Sequence, residues 1–237
     1  MRLRSSLPAL VFIAAAAQGC ASSGSDAGSD SDSGVAATAA AASPDSALLA
    51  AADMSRIKGA ADAPVWLLIV SDFECPYCRM WHEQSYDAIV REYVDPGKVQ
   101  MAYINLPIAS HRNAKPAAEA AMCAGVQGRF WELADGIFAT QERWSQMPIG
   151  SAVFDSIAGA QSLDMPQWRE CVGKRRTRDM VEADAVRAGQ IGIASTPSFV
   201  ILRGDQLVRG ITGAFPVDTF RVALDAALAG AGTPARP

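Results

Sequence analysis

The sequence predicts an α/β fold in which a block of helices interrupts a strand-bearing core. Three observations carry this: the apolar run Val65-Trp66-Leu67-Leu68-Ile69-Val70 leads straight into Cys75-Pro76-Tyr77-Cys78, a helical stretch follows from about 112 to 190, and two strand-like segments, Ser198 to Leu202 and Gln206 to Ile211, flank the turn Arg203-Gly204-Asp205.

The first nineteen residues have the parts of a bacterial export signal. Arg2 and Arg4 supply the positive start, Leu7 to Ala17 the apolar stretch, and Gln18-Gly19-Cys20 the junction. Eleven apolar residues are too few to span a bilayer, which takes about 20. A cysteine after a small residue resembles the lipobox of bacterial lipoproteins, which implies that Cys20 becomes the acylated N-terminus. Ala17 stands where that motif usually has Leu, and an ordinary secretory signal cut nearby is the alternative. Ala21 follows, without the Asp that often retains such proteins in the inner membrane, so an outer-membrane destination is weakly favoured. Residues 20–43 are almost entirely Ala, Ser, Gly and Asp, with no large apolar side chains to bury, and read as a flexible tether. The 50% hydrophobic content owes much to alanine here and in the signal. One domain is expected over 44–229, with 230–237 a disordered tail.

Along that domain, Ala63 to Val70 reads as a buried strand and Pro76 to about Tyr93 as a helix stopped by Asp95-Pro96-Gly97. Val99 to Leu106 alternates as a second strand, ended by Pro107. Ala114 to Val126 is an alanine-rich helix; Phe130 to Ala139 puts Phe130, Leu133, Ile137 and Phe138 on one face. Helical segments follow at Pro148 to Gly159, Pro166 to Gly173 and Thr177 to Ile191, and Val217 to Leu228 closes the chain amphipathically. The net charge of −4 becomes more negative once Arg2 and Arg4 leave, which argues against nucleic acid as a partner. The cluster Lys174-Arg175-Arg176 with Arg178 reads as a solvated face. With Cys20 acylated and Cys75 paired to Cys78, Cys123 and Cys171 remain, and in an oxidising compartment they most simply form a structural disulfide between two helices. Two buried thiols or a second redox pair are the other outcomes.

Cys75-Pro76-Tyr77-Cys78 carries the chemistry. Cysteines three apart at a helix start lie on the same side of its first turn, close enough for a small disulfide ring. Partial positive charge at the helix N-terminus favours a Cys75 thiolate, making it the exposed, attacked sulfur; Cys78 is the buried resolving thiol. Pro76 suits the first helical position because it has no N–H to lose. A structural zinc site needs two more ligands. Cys123, Cys171, His82 and His111 offer no second CxxC and no HxxxH, so a redox dithiol is the reading and no metal is assigned.

Strand, CxxC helix, strand, helical block, hairpin and helix make a thioredoxin framework with a helical insertion. Gly59-Ala60-Ala61-Asp62-Ala63-Pro64-Val65, Ser71-Asp72-Phe73-Glu74-Cys75-Pro76-Tyr77-Cys78, Gln127-Gly128-Arg129-Phe130-Trp131 and Gly192-Ile193-Ala194-Ser195-Thr196-Pro197-Ser198-Phe199 together resemble the DsbA-like thiol–disulfide oxidoreductases. The resemblance covers 59 to about 229. It implies that Pro197 is cis and faces the dithiol, that Thr196 sits near the sulfurs and tunes them, and that Pro76 and Tyr77 set thiolate stability. The chain departs from the pattern at Ile69, six residues before Cys75, where many relatives place a buried acid that helps proton transfer with the resolving cysteine. Asp72 and Glu74 should face elsewhere, and His82 reads as a packing histidine.

The implied function is an exported thiol–disulfide oxidoreductase in the periplasm or cell envelope, needing no cofactor or metal. It would oxidise reduced or misoxidised substrate proteins as a monomer and be reset by a membrane or soluble redox partner. A periplasmic reductase or isomerase shares the fold and differs in potential. A glutaredoxin shares CPYC but has no room for the interval between Cys78 and Pro197. A copper-delivery module would want clustered methionines, and the eight here are scattered.

Overall fold

The strand that leads to the dithiol is buried along most of its length, which is why it reads as a continuous apolar run rather than an alternating one. The structure, a computed structural model, describes residues 44–148 and 150–230. The readings of 1–43 and 231–237 as signal, tether and tail, and of Cys20 as an anchor, lie outside those residues. Among the described residues no helix is long and apolar enough to cross a membrane.

In chain order, α1 (Pro44–Ser55) and β1 (Ile57–Lys58) precede β2 (Val65–Ser71) and α2 (Pro76–Trp81). The helix continues through a wide π turn (His82–Tyr86), α3 (Asp87–Ile89) and a second π turn (Val90–Val94). Then come β3 (Val99–Asn105), α4 (Ala114–Gly125), α5 (Phe130–Ala139), α6 (Gln141–Trp144), α7 (Ser151–Ala160), α8 (Met165–Gly173), α9 (Arg178–Gln190), β4 (Ser198–Arg203), β5 (Gln206–Thr212) and α10 (Val217–Leu228). The sheet order is β1-β3-β2-β4-β5, with β2 and β3 parallel and every other neighbouring pair antiparallel. This is the thioredoxin arrangement, with α4 to α9 inserted between β3 and β4.

Sequence reading missed α1, β1 and α6. Tertiary contacts hold α1: it packs on α4, where Gly125 leaves room for Ser55, and Asp45 pairs with Arg176. The basic cluster is largely a solvated face, with Lys174, Arg175 and Arg178 exposed and Arg176 half-buried. Arg175 forks onto the buried Glu119 of α4 at 2.6 and 2.9 Å, whereas Lys174 and Arg176 reach Glu170 at the end of α8 and Arg178 pairs with Glu182 within α9.

Small residues let the insertion pack closely. Ala117, Ala118, Ala120, Ala121 and Ala124 of α4 are buried against surrounding helices, and a side chain at Gly136 of α5 would collide with Ile157 of α7. Cys123 of α4 is disulfide-bonded to Cys171 of α8, 48 residues apart. Phe130, Leu133, Ile137 and Phe138 are all buried.

A buried ion pair joins the insertion to the sheet. Asp184 of α9, wholly buried, pairs with Arg56 and accepts from the backbone and side chain of Asn105 at 3.1 and 2.9 Å. Arg56 also donates to the Tyr103 carbonyl at 3.2 Å. Removing one partner of such a pair leaves a charge stranded in the core. Arg56→Ala is therefore expected to lower unfolding free energy by about 3 kcal/mol in urea titration, and Arg56→Met with Asp184→Leu to recover most of the loss.

Candidate active site

Cys75 caps α2, with extended backbone at φ −70° and ψ 122°, and Pro76 occupies the first helical turn. The Cys75 carbonyl accepts from the N–H of Cys78 at 3.1 Å and of Arg79 at 3.2 Å, which starts the helix and swings Cys78 beneath Cys75. Tyr77 stands 61% exposed at the surface between them. One expectation is corrected: Cys75 is not an exposed residue. It is 5% accessible and Cys78 1%, because the loop before Pro197 lies over the dithiol.

That loop is aimed by the end of α9. Gly192, with φ +78°, allows the chain to reverse, and the N–H groups of Gly192 and Ile193 close on the carbonyls of Gly189 and Ala188 at 3.0 and 2.9 Å. Ile193 then packs beside Ala188, Val70 and Leu106, directing the chain into Ser195-Thr196-Pro197. The Thr196–Pro197 bond is cis, and the Thr196 carbonyl lies 3.6 Å from the Cys75 sulfur.

The loop between β2 and α2 is held from the other side. Asp72, 2% exposed, accepts from the N–H of Glu74 at 2.7 Å and of Ile108 at 2.8 Å, and its carboxylate meets His111 Nδ1 at 2.7 Å. Glu74 accepts from the Asn113 N–H at 2.6 Å. Both acids thus turn their carboxylates to the β3–α4 connection, while the Asp72 N–H points to the Cys78 sulfur at 3.5 Å. Gln141 of α6 donates to the carbonyls of Phe73 and Cys75 at 2.6 and 3.0 Å. Phe73 is locked by Tyr103 and Phe138, ring centres 4.9 and 5.0 Å away. Gln141 and Asn113 escaped sequence reasoning, since single polar residues carry no periodic signal, and His111, weighed there only as a metal ligand, instead meets Asp72. His82 packs between Tyr86 and Phe138 and pairs with Asp135 at 3.0 Å. Among the described residues no group of three or more His, Cys, Asp or Glu side chains is placed to hold a metal ion.

The two sulfurs share a proton unequally. The Cys78 thiol donates to Cys75, and the Thr196 side chain and the N–H groups of Cys78 and Tyr77 add to it, lowering the Cys75 thiol from 9.0 to about 6 against the opposing effect of burial. Burial, and then the neighbouring Cys75 sulfur, push the Cys78 thiol well above its ordinary value, against relief from Ser71 and the Asp72 N–H. Burial raises Asp72 despite its hydrogen bonds. A stabilised thiolate touching a protonated thiol is a pair that can attack, or be released from, a disulfide.

A dithiol at a helix start, opposite a cis-proline loop in a thioredoxin sheet with helices inserted after β3, defines the DsbA-like class of thiol–disulfide oxidoreductases. Known proteins agree with this geometry. The thioredoxin family model matches residues 51–225. The probable disulfide bond formation protein D of Bacillus anthracis is 29% identical over 146 residues, covering 60% of this chain and 67% of that one. Part of the Na(+)/H(+) antiporter NhaA 3 of Salinispora tropica is 32% identical over 150 residues; the match takes 63% of this chain and only 22% of the antiporter's length. Among solved structures, α-DsbA1 of Wolbachia pipientis superposes with a TM-score of 0.67 at 20% identity, over 74% of this chain and 92% of that one. Oxidised BdbD of Bacillus subtilis gives 0.65 at 20% identity, over 74% and 93%. The chain belongs to the thioredoxin family.

The depressed Cys75 thiol has a direct readout. Its thiolate is the species that iodoacetamide alkylates, so the alkylation rate of the reduced protein should fall as pH drops through about 6, and the stabilisation that this thiolate lends the fold, full above 9.0, should shrink as pH falls from 9.0 to about 6. In denaturant the inflection should return toward 9.0.

Proposed function

We propose that this protein is an exported disulfide donor that oxidises cysteine pairs of reduced substrate proteins through Cys75 and Cys78. The observation that carries the direction is the stabilised Cys75 thiolate: whatever stabilises the reduced pair makes the disulfide more oxidising. A substrate thiolate attacks the Cys75 sulfur, the Cys75–Cys78 bond breaks, and Cys78 leaves with the electron pair and takes a proton. The substrate's second thiol then loses its proton and attacks the substrate sulfur of the mixed disulfide, releasing Cys75 as thiolate. Two electrons have passed from the substrate to the pair, with one proton held on Cys78 and Cys75 left as thiolate. A membrane or soluble redox partner removes them again, with Cys78 resolving the mixed disulfide formed on the way.

Thr196 and Pro197 shape the surface over which a substrate segment reaches Cys75, and Pro76 and Tyr77 tune the thiolate. Cys123 and Cys171 act as scaffold rather than as reactants. Export follows from the reading of residues 1–19, with Cys20 as the lipid anchor, the tether lifting a monomeric domain from the membrane.

Two measurements test this. Cys75→Ser should abolish oxidation of a reduced dithiol peptide, whereas Cys78→Ser given the oxidised peptide should attack its disulfide through Cys75 and hold the peptide as a mixed disulfide visible by mass. The reduction potential of the pair should lie nearer the DsbA value, about −120 mV, than the thioredoxin value, about −270 mV. A value at the thioredoxin end would make the protein a reductase or isomerase.

A further inference from the structure

Asp72 is tied to both cysteines through its main chain. It is the first residue past β2: pairing with β4 ends at Val70 and pairing with β3 at Ser71, so the Asp72 N–H has no strand partner. It donates instead to the Cys78 sulfur at 3.5 Å, while the Asp72 carbonyl accepts from the Cys75 N–H at 3.1 Å. The peptide group that carries the Asp72 N–H is planar and includes the Ser71 carbonyl, which accepts from the Leu106 N–H at 2.8 Å. One end of that group is therefore held from the end of β3 and the other is aimed at Cys78.

The side chain fixes the residue between those two peptide groups. Its carboxylate is wholly buried and takes three bonds: Oδ1 accepts from the Glu74 N–H at 2.7 Å, and Oδ2 accepts from the Ile108 N–H at 2.8 Å and meets His111 Nδ1 at 2.7 Å. An ionised carboxylate can only accept, so Nδ1 is the donor in that last bond. Ile108 and His111 belong to the β3–α4 connection, so the aim at Cys78 is set from outside the β2–α2 unit. Burial raises Asp72, and its donors work against that. The titratable groups near Cys78 are Cys75 and Tyr103, and His111 lines a cleft with Glu74, Arg79 and Glu142.

The geometry points to Asp72, clamped by His111, as a positioning residue for Cys78: the clamp holds the Asp72 N–H where it donates to the Cys78 sulfur as that sulfur takes on negative charge. This rests on the reading that Cys75 and Cys78 exchange disulfides. In the resolving step the Cys78 thiol gives up its proton and its thiolate attacks the Cys75 sulfur of a mixed disulfide. The bond from Cys75 to the substrate breaks, the Cys75–Cys78 bond forms, and the departing substrate thiolate takes up a proton, so charge and protons balance. In the reverse step Cys78 is the leaving group, and the same N–H receives its charge. A backbone N–H keeps its own proton throughout, so the device changes how readily Cys78 ionises and not how many protons are exchanged. Loss of His111 acts twice in one direction: the loop is freed, and the Asp72 charge near Cys78 loses a donor.

The test mixes the full chain, reduced at Cys75 and Cys78 with the Cys123–Cys171 bond intact, with excess oxidised glutathione from pH 5 to 10. Samples quenched in acid are resolved by mass into the Cys75–glutathione mixed disulfide and the Cys75–Cys78 disulfide, which separates attack from resolution. His111→Leu should slow resolution at pH 7 about tenfold and move the inflection of its pH profile up by about one unit, the scale of one lost hydrogen bond to a charged sulfur. Attack by Cys75 should keep its rate, since its donors are Cys78, Thr196 and the Tyr77 N–H. His111→Asn, which returns an N–H donor near the place of Nδ1, should restore most of the resolution rate. Asp72→Asn removes the charge as well as the clamp, so a residue acting by position raises the inflection, whereas one acting by charge alone lowers it. His111→Leu decides the matter should Asp72→Asn fail to fold. Wild-type resolution in His111→Leu, no recovery in His111→Asn, or a lowered inflection in Asp72→Asn would overturn the inference while leaving the exchange reading intact. If the wild type forms no Cys75–Cys78 disulfide at all, the exchange reading fails and takes the inference with it.

Discussion

Two sulfurs three residues apart, nearly excluded from water and sharing one proton, set the constraint on which the site depends. Burial alone would push both thiols up and leave both inert. The start of α2 breaks the symmetry by directing N–H groups of Tyr77 and Cys78 at Cys75, while Cys78, a turn further in, keeps its proton and points it at its neighbour. The helix needs Pro76 at its first turn and a loop before it that does not wander, and most of the surrounding structure serves that second need.

Asp72, Glu74, Phe73 and the Cys75 carbonyl are each held by a group from outside the β2–α2 unit: His111 and Ile108, Asn113, Tyr103 with Phe138, and Gln141. Several of these come from the inserted block or from the connection leading into it. The insertion is thus more than a cover over one side of the sheet. The alanine face of α4 draws its neighbouring helices close, and Asn113, which bonds the carbonyls of Trp144 and Met147, couples α6 to the same loop that carries the dithiol.

The fold was largely legible because its elements are written locally. Val65 to Val70 is apolar throughout, Asp95-Pro96-Gly97 stops a helix, and Phe130, Leu133, Ile137 and Phe138 recur at helical spacing. What stayed hidden is written in three dimensions. Helix α1 has little amphipathic pattern of its own and is secured by α4 and Arg176; α6 is a single turn. Of the site, the dithiol and the loop at Thr196 and Pro197 carry motifs, and the structure brings them within 3.6 Å of each other. The degree of Cys75 burial did not follow from its place at a helix start, since the loop that covers it arrives from more than a hundred residues away. Gln141 and the Arg56–Asp184 pair depend in the same way on where distant segments meet.

The bond between Cys123 and Cys171 lies inside the block that carries Gln141, so the firmness of the grip on the dithiol is tied to an oxidation event elsewhere in the same chain. Surroundings reducing enough to open that bond would loosen the scaffold, and surroundings rich in oxidant would close it. The same kind of oxidation that closes the reactive pair thus also closes the frame that holds it.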